Sequence, residues 1–289
     1  MEKNKKRLFG ISASLILVLL LVLFGFWAAN RAHENRMHQD TLARVKKTKT
    51  INWGVKTDTK LFGLVNTKSG QSEGFDVDLA KALTKQIGKQ VGEQLTPTFT
   101  PVNASSKVQL LKNTNIDGVL AVMTITKERA KVVDFSKPYF PAGNSLLVKK
   151  DSGIQSIQDL NGPSKTILIA LGTTAADTVK KEAPKAKVLA LQDYASAMQA
   201  LKAGQGQAIV TDNAILYGLV SENPDYHVVG GIMGYAPYGI AFDHNQPGMV
   251  RQANQALDVL KKNGTYNALI EKWFGQVPGL NLSELEVQA

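Results

Sequence analysis

The sequence predicts an α/β protein whose folded part comprises two lobes built on mostly parallel sheet. Three observations carry this. From Ile51 onward, short apolar runs of strand length alternate with amphipathic runs of helical period. Two segments, QLLKNTNIDGVLAVMT from Gln109 and QALKAGQGQAIVTD from Gln199, align without a gap as helix end, lysine, polar turn and buried strand. Each unit also ends its strand in a polar residue, Thr124 in the first and Asp212 in the second. Strand ends of this kind are where open α/β sheets bind ligands.

The chain opens with MEKNKKR and then an apolar run from Leu8 to Ala29, 22 residues long. As a helix that length crosses about 30 Å of hydrocarbon. A cleaved secretory signal has a shorter apolar core and a small-x-small site, whereas Trp27 precedes Ala28 and Ala29 here. Residues 1–30 are therefore expected to be a signal anchor or transmembrane helix, with a long cleaved signal as the alternative. Lys3, Lys5, Lys6 and Arg7 mark the cytoplasmic side, so the remainder lies outside the cell. Residues 31–50 are polar and mixed in charge, as expected of a basic tether.

Composition narrows the function. The 289 residues, 44% hydrophobic, can bury one large or two modest cores. The net charge is +10, but residues 1–50 hold ten Lys or Arg against Glu2, Glu34 and Asp40, leaving only +3 for the rest. That balance offers no nucleic-acid surface. Cysteine is absent, excluding disulfides and thiolate metal sites, and the four histidines lack ligand spacing. No cofactor and no metal are expected. GQGQAI after Lys202 leads into a strand and lacks the third glycine of a dinucleotide loop, and Walker, G-x-S-x-G and H-E-x-x-H motifs do not occur.

INWGVKT reads as the first strand, and GFDVDLAKALTKQIG as a helix with Phe75, Leu79, Leu83 and Ile87 on one face and Gly88 at its end. GVLAVM, TILIAL, KVLALQ and QAIVT read as further strands, with helices starting near Thr174, Tyr194, Asn213 and Pro247. After the strand that closes at Ala121 to Met123, Thr126 reads as the N-cap of a helix whose first turn holds Lys127, Glu128 and Arg129.

These strand ends match the chemistry of a free α-amino acid, which presents a carboxylate and an ammonium on one carbon. Taken out of water, both must be paired. Arg129 supplies a planar fork for the carboxylate. LGTT supplies a second grip: Gly172 turns the backbone, and Thr173, Thr174 and Ala175 open a helix whose N–H groups bind anions. For the ammonium, Asp212 offers a carboxylate, with the Thr124 hydroxyl and the Val122 carbonyl as neutral acceptors. Asp212 is equally suited to capping the helix that follows it. Lys107 lies near the N-terminal end of its helix, where a cation is disfavoured, so an anionic partner is expected; Lys56 is a second candidate for that role.

GFDVDLAKAL, MTITKERAKVVDFSKPYF, LLVKK, IQDLNG, LGTT and WFG closely resemble the family 3 solute-binding proteins of bacterial ABC importers, over Ile51 to about Gly275. The resemblance implies a type II periplasmic-binding fold: lobe 1 over 51–145 and again over 236–279, lobe 2 over 146–235, a hinge of two crossings near Asn144 to Lys149 and Gly234 to Ile240, and a tail over 280–289. It implies no catalysis. The expected function is to bind a polar L-amino acid (glutamate, glutamine or aspartate) outside the cell, as a monomer, and deliver it to a membrane permease. In that family's terms Arg129 binds the carboxylate beside Thr124, Thr173 and Thr174 donate from lobe 2, and Asp212 binds the ammonium. Asp58, in the first-strand loop, joins the ligand set. The aromatic that often covers the ligand there corresponds to Leu61, leaving Phe62 or an aliphatic cover, and Val122 replaces a common glycine. A tethered amino-acid sensor and a cyclohexadienyl dehydratase-like enzyme are the alternatives.

Overall fold

A computed structural model describes residues 19–27, 40–277, 280 and 282–285. The chain divides into two units, Met1–Asp40 and Thr41–Ala289. Within the first, residues 19–27 form helix α1, whose Leu19, Phe24, Phe26 and Trp27 side chains are exposed. The rest of the Leu8 to Ala29 run lies outside the described residues. Among the described residues no helix is long and apolar enough to cross a membrane.

The second unit holds two five-stranded sheets of the same design. In the first, β1 (Thr50–Val55) lies parallel between β5 (Thr96–Pro101) and β6 (Gly118–Val119), and β13 (Tyr238–Asp243) joins antiparallel between β6 and β7 (Val133–Phe140). In the second, β9 (Thr166–Ala170) lies parallel between β10 (Lys187–Leu191) and β11 (Ala208–Asp212). There β8 (Asn144–Lys149) sits antiparallel between β11 and β12 (Tyr226–Met233). The two segments that echo each other in sequence occupy matching places, a helix feeding the third parallel strand of each sheet. A small sheet of β2 (Asp58–Thr59), β3 (Gly63–Val65) and β4 (Ser72–Glu73) follows β1.

Chain passage between the sheets is short. Residues 141–143 lead from β7 to β8, and 234–237 return from β12 to β13. Asn144–Lys149, expected at a crossing, is thus a strand of the second sheet.

Helix α2 (Thr41–Thr48) falls in the segment read as tether, yet it packs on the first sheet. Val45 is fully buried, and Arg44 donates through Nε and Nη2 to Asp117 Oδ1 at 3.0 and 2.6 Å. Helix α3 (Phe75–Val91) runs past Gly88, because the left-handed residue that ends it is Gly92, at φ 71°. Gly88 instead lets the chain after the helix approach: a Cβ there would meet Glu93 O at 2.6 Å. Phe62, Phe75, Phe140, Tyr238 and Phe274 interlock at ring distances of 5.1 to 6.2 Å in the core of this lobe. Leu285 is buried on the same core, so part of the segment read as tail belongs to it.

Helices α4 (Lys107–Lys112), α8 (Pro247–Lys262) and α9 (Thr265–Phe274) complete the first lobe, and α5 (Ala175–Glu182), α6 (Tyr194–Lys202) and α7 (Asn213–Val220) the second. The lobes approach closely. Lys60 pairs with Glu222 at 2.9 Å, and a Cβ on Gly218 would lie 3.0 Å from Lys60 O.

Candidate functional site

Beyond β6 the first-lobe chain leaves the sheet earlier than GVLAVM predicts, because Val122 is turned to φ 44°. A β-branched residue adopts that region only at a cost, so something must hold it. Its N–H donates to Asp76 Oδ2 at 2.9 Å, while Lys107 Nζ donates to the carbonyls of Ala121 at 2.9 Å and Val122 at 3.4 Å. Asp76 also accepts from the Tyr139 hydroxyl at 3.0 Å. Burial pushes the Asp76 carboxyl up to about 7, against these hydrogen bonds and the nearby lysines. Burial holds Lys107 well below the usual amine range, and Arg129 and Lys56 push the same way.

Thr126 Oγ1 accepts from Arg129 N at 3.1 Å, but the helix expected after it does not form. The chain makes only a single 3-10 turn, Arg129–Lys131, with Glu128 at its N-cap position, because β7 begins two residues later. Arg129 Nη1 donates to Thr124 O at 2.8 Å, and Nη2 reaches the second lobe to donate to Gly172 O at 3.0 Å. Two of the five guanidinium N–H donors are thereby used. Burial lowers its pKa, opposed chiefly by Asp212.

On the facing lobe β9 ends at Ala170, and Gly172 turns the chain beyond it at φ 76°. A Cβ there would meet the backbone of Ala104 and Ser105 at 2.8 to 2.9 Å, so this turn can lie against the first lobe only as glycine. Thr173 Oγ1 donates to Ala170 O at 2.8 Å, and Thr174 stands at the N-cap of α5 without capping it through its side chain. Asp212 ends β11, 6% exposed. Although it is the N-cap of α7, its side chain makes no capping bond; Oδ2 accepts from the Tyr238 hydroxyl at 2.7 Å. Oδ1 is buried with no donor. Burial raises the Asp212 pKa, with Tyr238, Lys107 and Arg129 opposing.

These groups line one narrow pocket between the lobes, whose free cavity volume is about 10 Å³. It offers a cationic fork, helix-start amides and a buried acceptor within one small volume. Such a set can pair a carboxylate and an ammonium carried on the same carbon.

The sequence profile of the bacterial extracellular solute-binding proteins, family 3, matches residues 51–276. The chain belongs to this family. It is similar to the ABC transporter glutamine-binding protein GlnH of Bacillus subtilis (strain 168), 42% identical over 274 residues, covering 94% of this chain and 99% of the relative. A glutamine-binding protein of Geobacillus stearothermophilus is 44% identical over 210 residues, covering 73% of this chain and 79% of the relative. Among solved structures, an ancestral arginine-binding protein bound to glutamine superposes with a TM-score of 0.71 at 39% identity, over 79% of this chain and 99% of that one.

In this family member the pocket is lined by Lys107, Val122, Thr124, Arg129, Gly172, Thr173, Thr174 and Asp212, all named from sequence. Asp58, Leu61 and Phe62 are not in the lining. Asp58 is drawn into an ion pair with Lys56, at 2.7 Å. Leu61, at φ 74°, packs on the first-lobe core, and Phe62 is fully buried at the centre of the aromatic cluster, so it cannot cover a ligand. Lys107, for which an anion was expected, has backbone carbonyls as its partners.

The pocket adds Lys56, Ala104 and Tyr194 to the lining. Lys56 stood at a strand end and was legible as a candidate. Tyr194 looks like any first residue of a helix in sequence, and Ala104 carries no functional group.

Proposed function

We propose that this protein binds one L-glutamine per chain in the interlobe pocket, as a monomer, and delivers it to an ABC permease without catalysing a reaction. The observation that carries the reading is Asp212 Oδ1, a buried carboxylate oxygen left without a donor in a pocket that also holds the Arg129 guanidinium. A buried acceptor of that kind calls for a cationic donor, and the cation must arrive beside an anion that Arg129 can take. An α-amino acid meets both needs. Arg129 and the Thr173 and Thr174 amides take its carboxylate; Asp212, with Thr124, takes its ammonium.

Glutamine is favoured over glutamate by the state of Lys107. Its ammonium is already committed to two carbonyls and disfavoured by burial, so it offers little to a second carboxylate. The two glutamine-binding relatives support the same choice. The Leu8 to Ala29 run is assigned to holding the protein on the outer face of the membrane; its length supports this, and the intact mass of cell-derived protein tests it. Calorimetry with the twenty amino acids tests the ligand: tight binding of glutamine supports the reading, and preference for a cationic or apolar amino acid overturns it.

A further inference from the structure

We propose that Lys56 and Tyr194, from opposite lobes, form the wall of the pocket that reads the ligand's side chain. This rests on the amino-acid-binding reading above. Once the α-carboxylate and α-ammonium are assigned, the remaining lining consists of Lys56, Ala104, Lys107, Val122, Tyr194 and Gly172, whose carbonyl is already taken by Arg129 Nη2. Ala104 has no polar group, Val122 is held by Asp76, and Lys107 is committed to the carbonyls of Ala121 and Val122. Lys56 and Tyr194 are what the side chain has left to meet.

Their geometry suits a carboxamide. Lys56 ends the first-lobe segment after β1 and is 2% exposed. Its Nζ lies 2.7 and 3.1 Å from the two Asp58 oxygens and 5.5 Å from the centre of the Tyr194 ring. Asp58 fixes the ammonium and offsets its charge, and an ammonium has three hydrogens, so a donor remains for a neutral carbonyl oxygen. Tyr194 opens α6 on the second lobe, 4% exposed, its hydroxyl 3.3 Å from Thr211 Oγ1. With both ends fastened, its ring is a fixed apolar face for a planar group. A carboxylate would find the Lys56 charge largely offset by Asp58, whereas a neutral carbonyl oxygen needs only the remaining N–H. Because the two residues come from different lobes, the wall is complete only when the cleft is closed, which ties side-chain recognition to closure.

Calorimetry on the full chain in detergent, with glutamine and with norvaline, which has a similar carbon chain but no amide, tests this on wild type and on Lys56→Met, Tyr194→Phe and Tyr194→Leu. Ligand-free melting checks that each variant folds. Lys56→Met is expected to weaken glutamine by about tenfold or more while changing norvaline by less than about twofold. Tyr194→Leu is expected to weaken both ligands by about tenfold, and Tyr194→Phe, which keeps the ring, by less. Equal losses for the two ligands in Lys56→Met, or an unchanged Tyr194→Leu, would overturn the assignment while glutamine binding itself stands. A wild type that binds no amino acid would overturn the ligand reading first, and this inference with it.

Discussion

Gly172→Ala separates folding from closure. Gly172 is on the second lobe at φ 76°, and the three nearest atoms to an added Cβ are Ala104 C at 2.8 Å, Ser105 N at 2.8 Å and Ala104 O at 2.9 Å, all backbone of the first lobe. The positive φ costs alanine about 1–2 kcal/mol whether the cleft is open or closed. That part lowers the ligand-free melting temperature by a few degrees, at about 2–4 °C per kcal/mol for a domain of this size. The steric part exists only when the lobes meet. Backbone cannot rotate out of the way, so the lobes must part by several tenths of an ångström, which also lengthens the Arg129 Nη2 to Gly172 O bond of 3.0 Å. Overpacking of this kind costs about 1–3 kcal/mol, which is roughly a 5- to 150-fold loss of affinity. Calorimetry gives the affinity, and small-angle scattering with saturating ligand gives the degree of closure. A variant that binds as wild type does and closes as fully would refute the claim that Gly172 meets the first lobe in the bound state.

Arg129→Ala should weaken glutamine by about 2–5 kcal/mol with the fold intact, and Arg129→Lys should recover only part of it, since an ammonium lacks the fork; an alanine variant of unchanged affinity would place Arg129 outside the site. Asp76 titrates at about 7 in the folded protein against 3.8 as its ordinary value. Between these values the native state keeps a proton that the unfolded chain has lost, so this group makes stability fall as pH rises from about 4 to 7, by on the order of 4 kcal/mol. Urea unfolding of Asp76→Asn at pH 4.5 and 7.5 should show a shallower fall than wild type; a parallel fall would contradict the burial of that carboxyl. Lys107→Met leaves the carbonyls of Ala121 and Val122 without their donor and should lower stability by about 1–3 kcal/mol in the same measurement; an unchanged midpoint would mean that other donors replace it.

Much of the fold was legible because periodicity and capping are local. The α/β alternation, the helix starts at Tyr194, Asn213 and Pro247, and the paired helix-turn-strand units follow from apolar spacing and turn residues within short windows. What sequence could not give depends on distant partners. GVLAVM reads as six residues of strand, but Asp76 and Lys107 pull Val122 out of the sheet, and neither is its neighbour in sequence. Gly88 looks like a helix stop until the chain after the helix is seen to pack against it. Thr41 to Thr48 reads as polar tether because what ties it down is distant in sequence: Val45 and Leu42 on the core, the Arg44 pairing to Asp117, and the Thr41 N–H donating to Gln246 Oε1. At the site, residues at strand and helix ends, such as Thr124, Arg129, Gly172, Thr173 and Asp212, were legible because topology brings those ends together. The choice between Phe62 and an aliphatic cover stays open in the sequence because an aromatic in a loop looks the same whether it covers a ligand or fills a core, and Phe62 is fully buried in the core. Tyr194 is not legible because its place in the pocket lining, opposite Lys56, depends on how the two lobes meet.

The central claim, that the interlobe pocket holds an α-amino acid through Arg129 and Asp212, is tested most directly by titrating the purified full chain with L-glutamine in a calorimeter. One site per chain is expected, with a dissociation constant in the micromolar range, about 8 kcal/mol of binding free energy. No binding heat at any concentration up to the millimolar range, together with no rise in melting temperature, would contradict it.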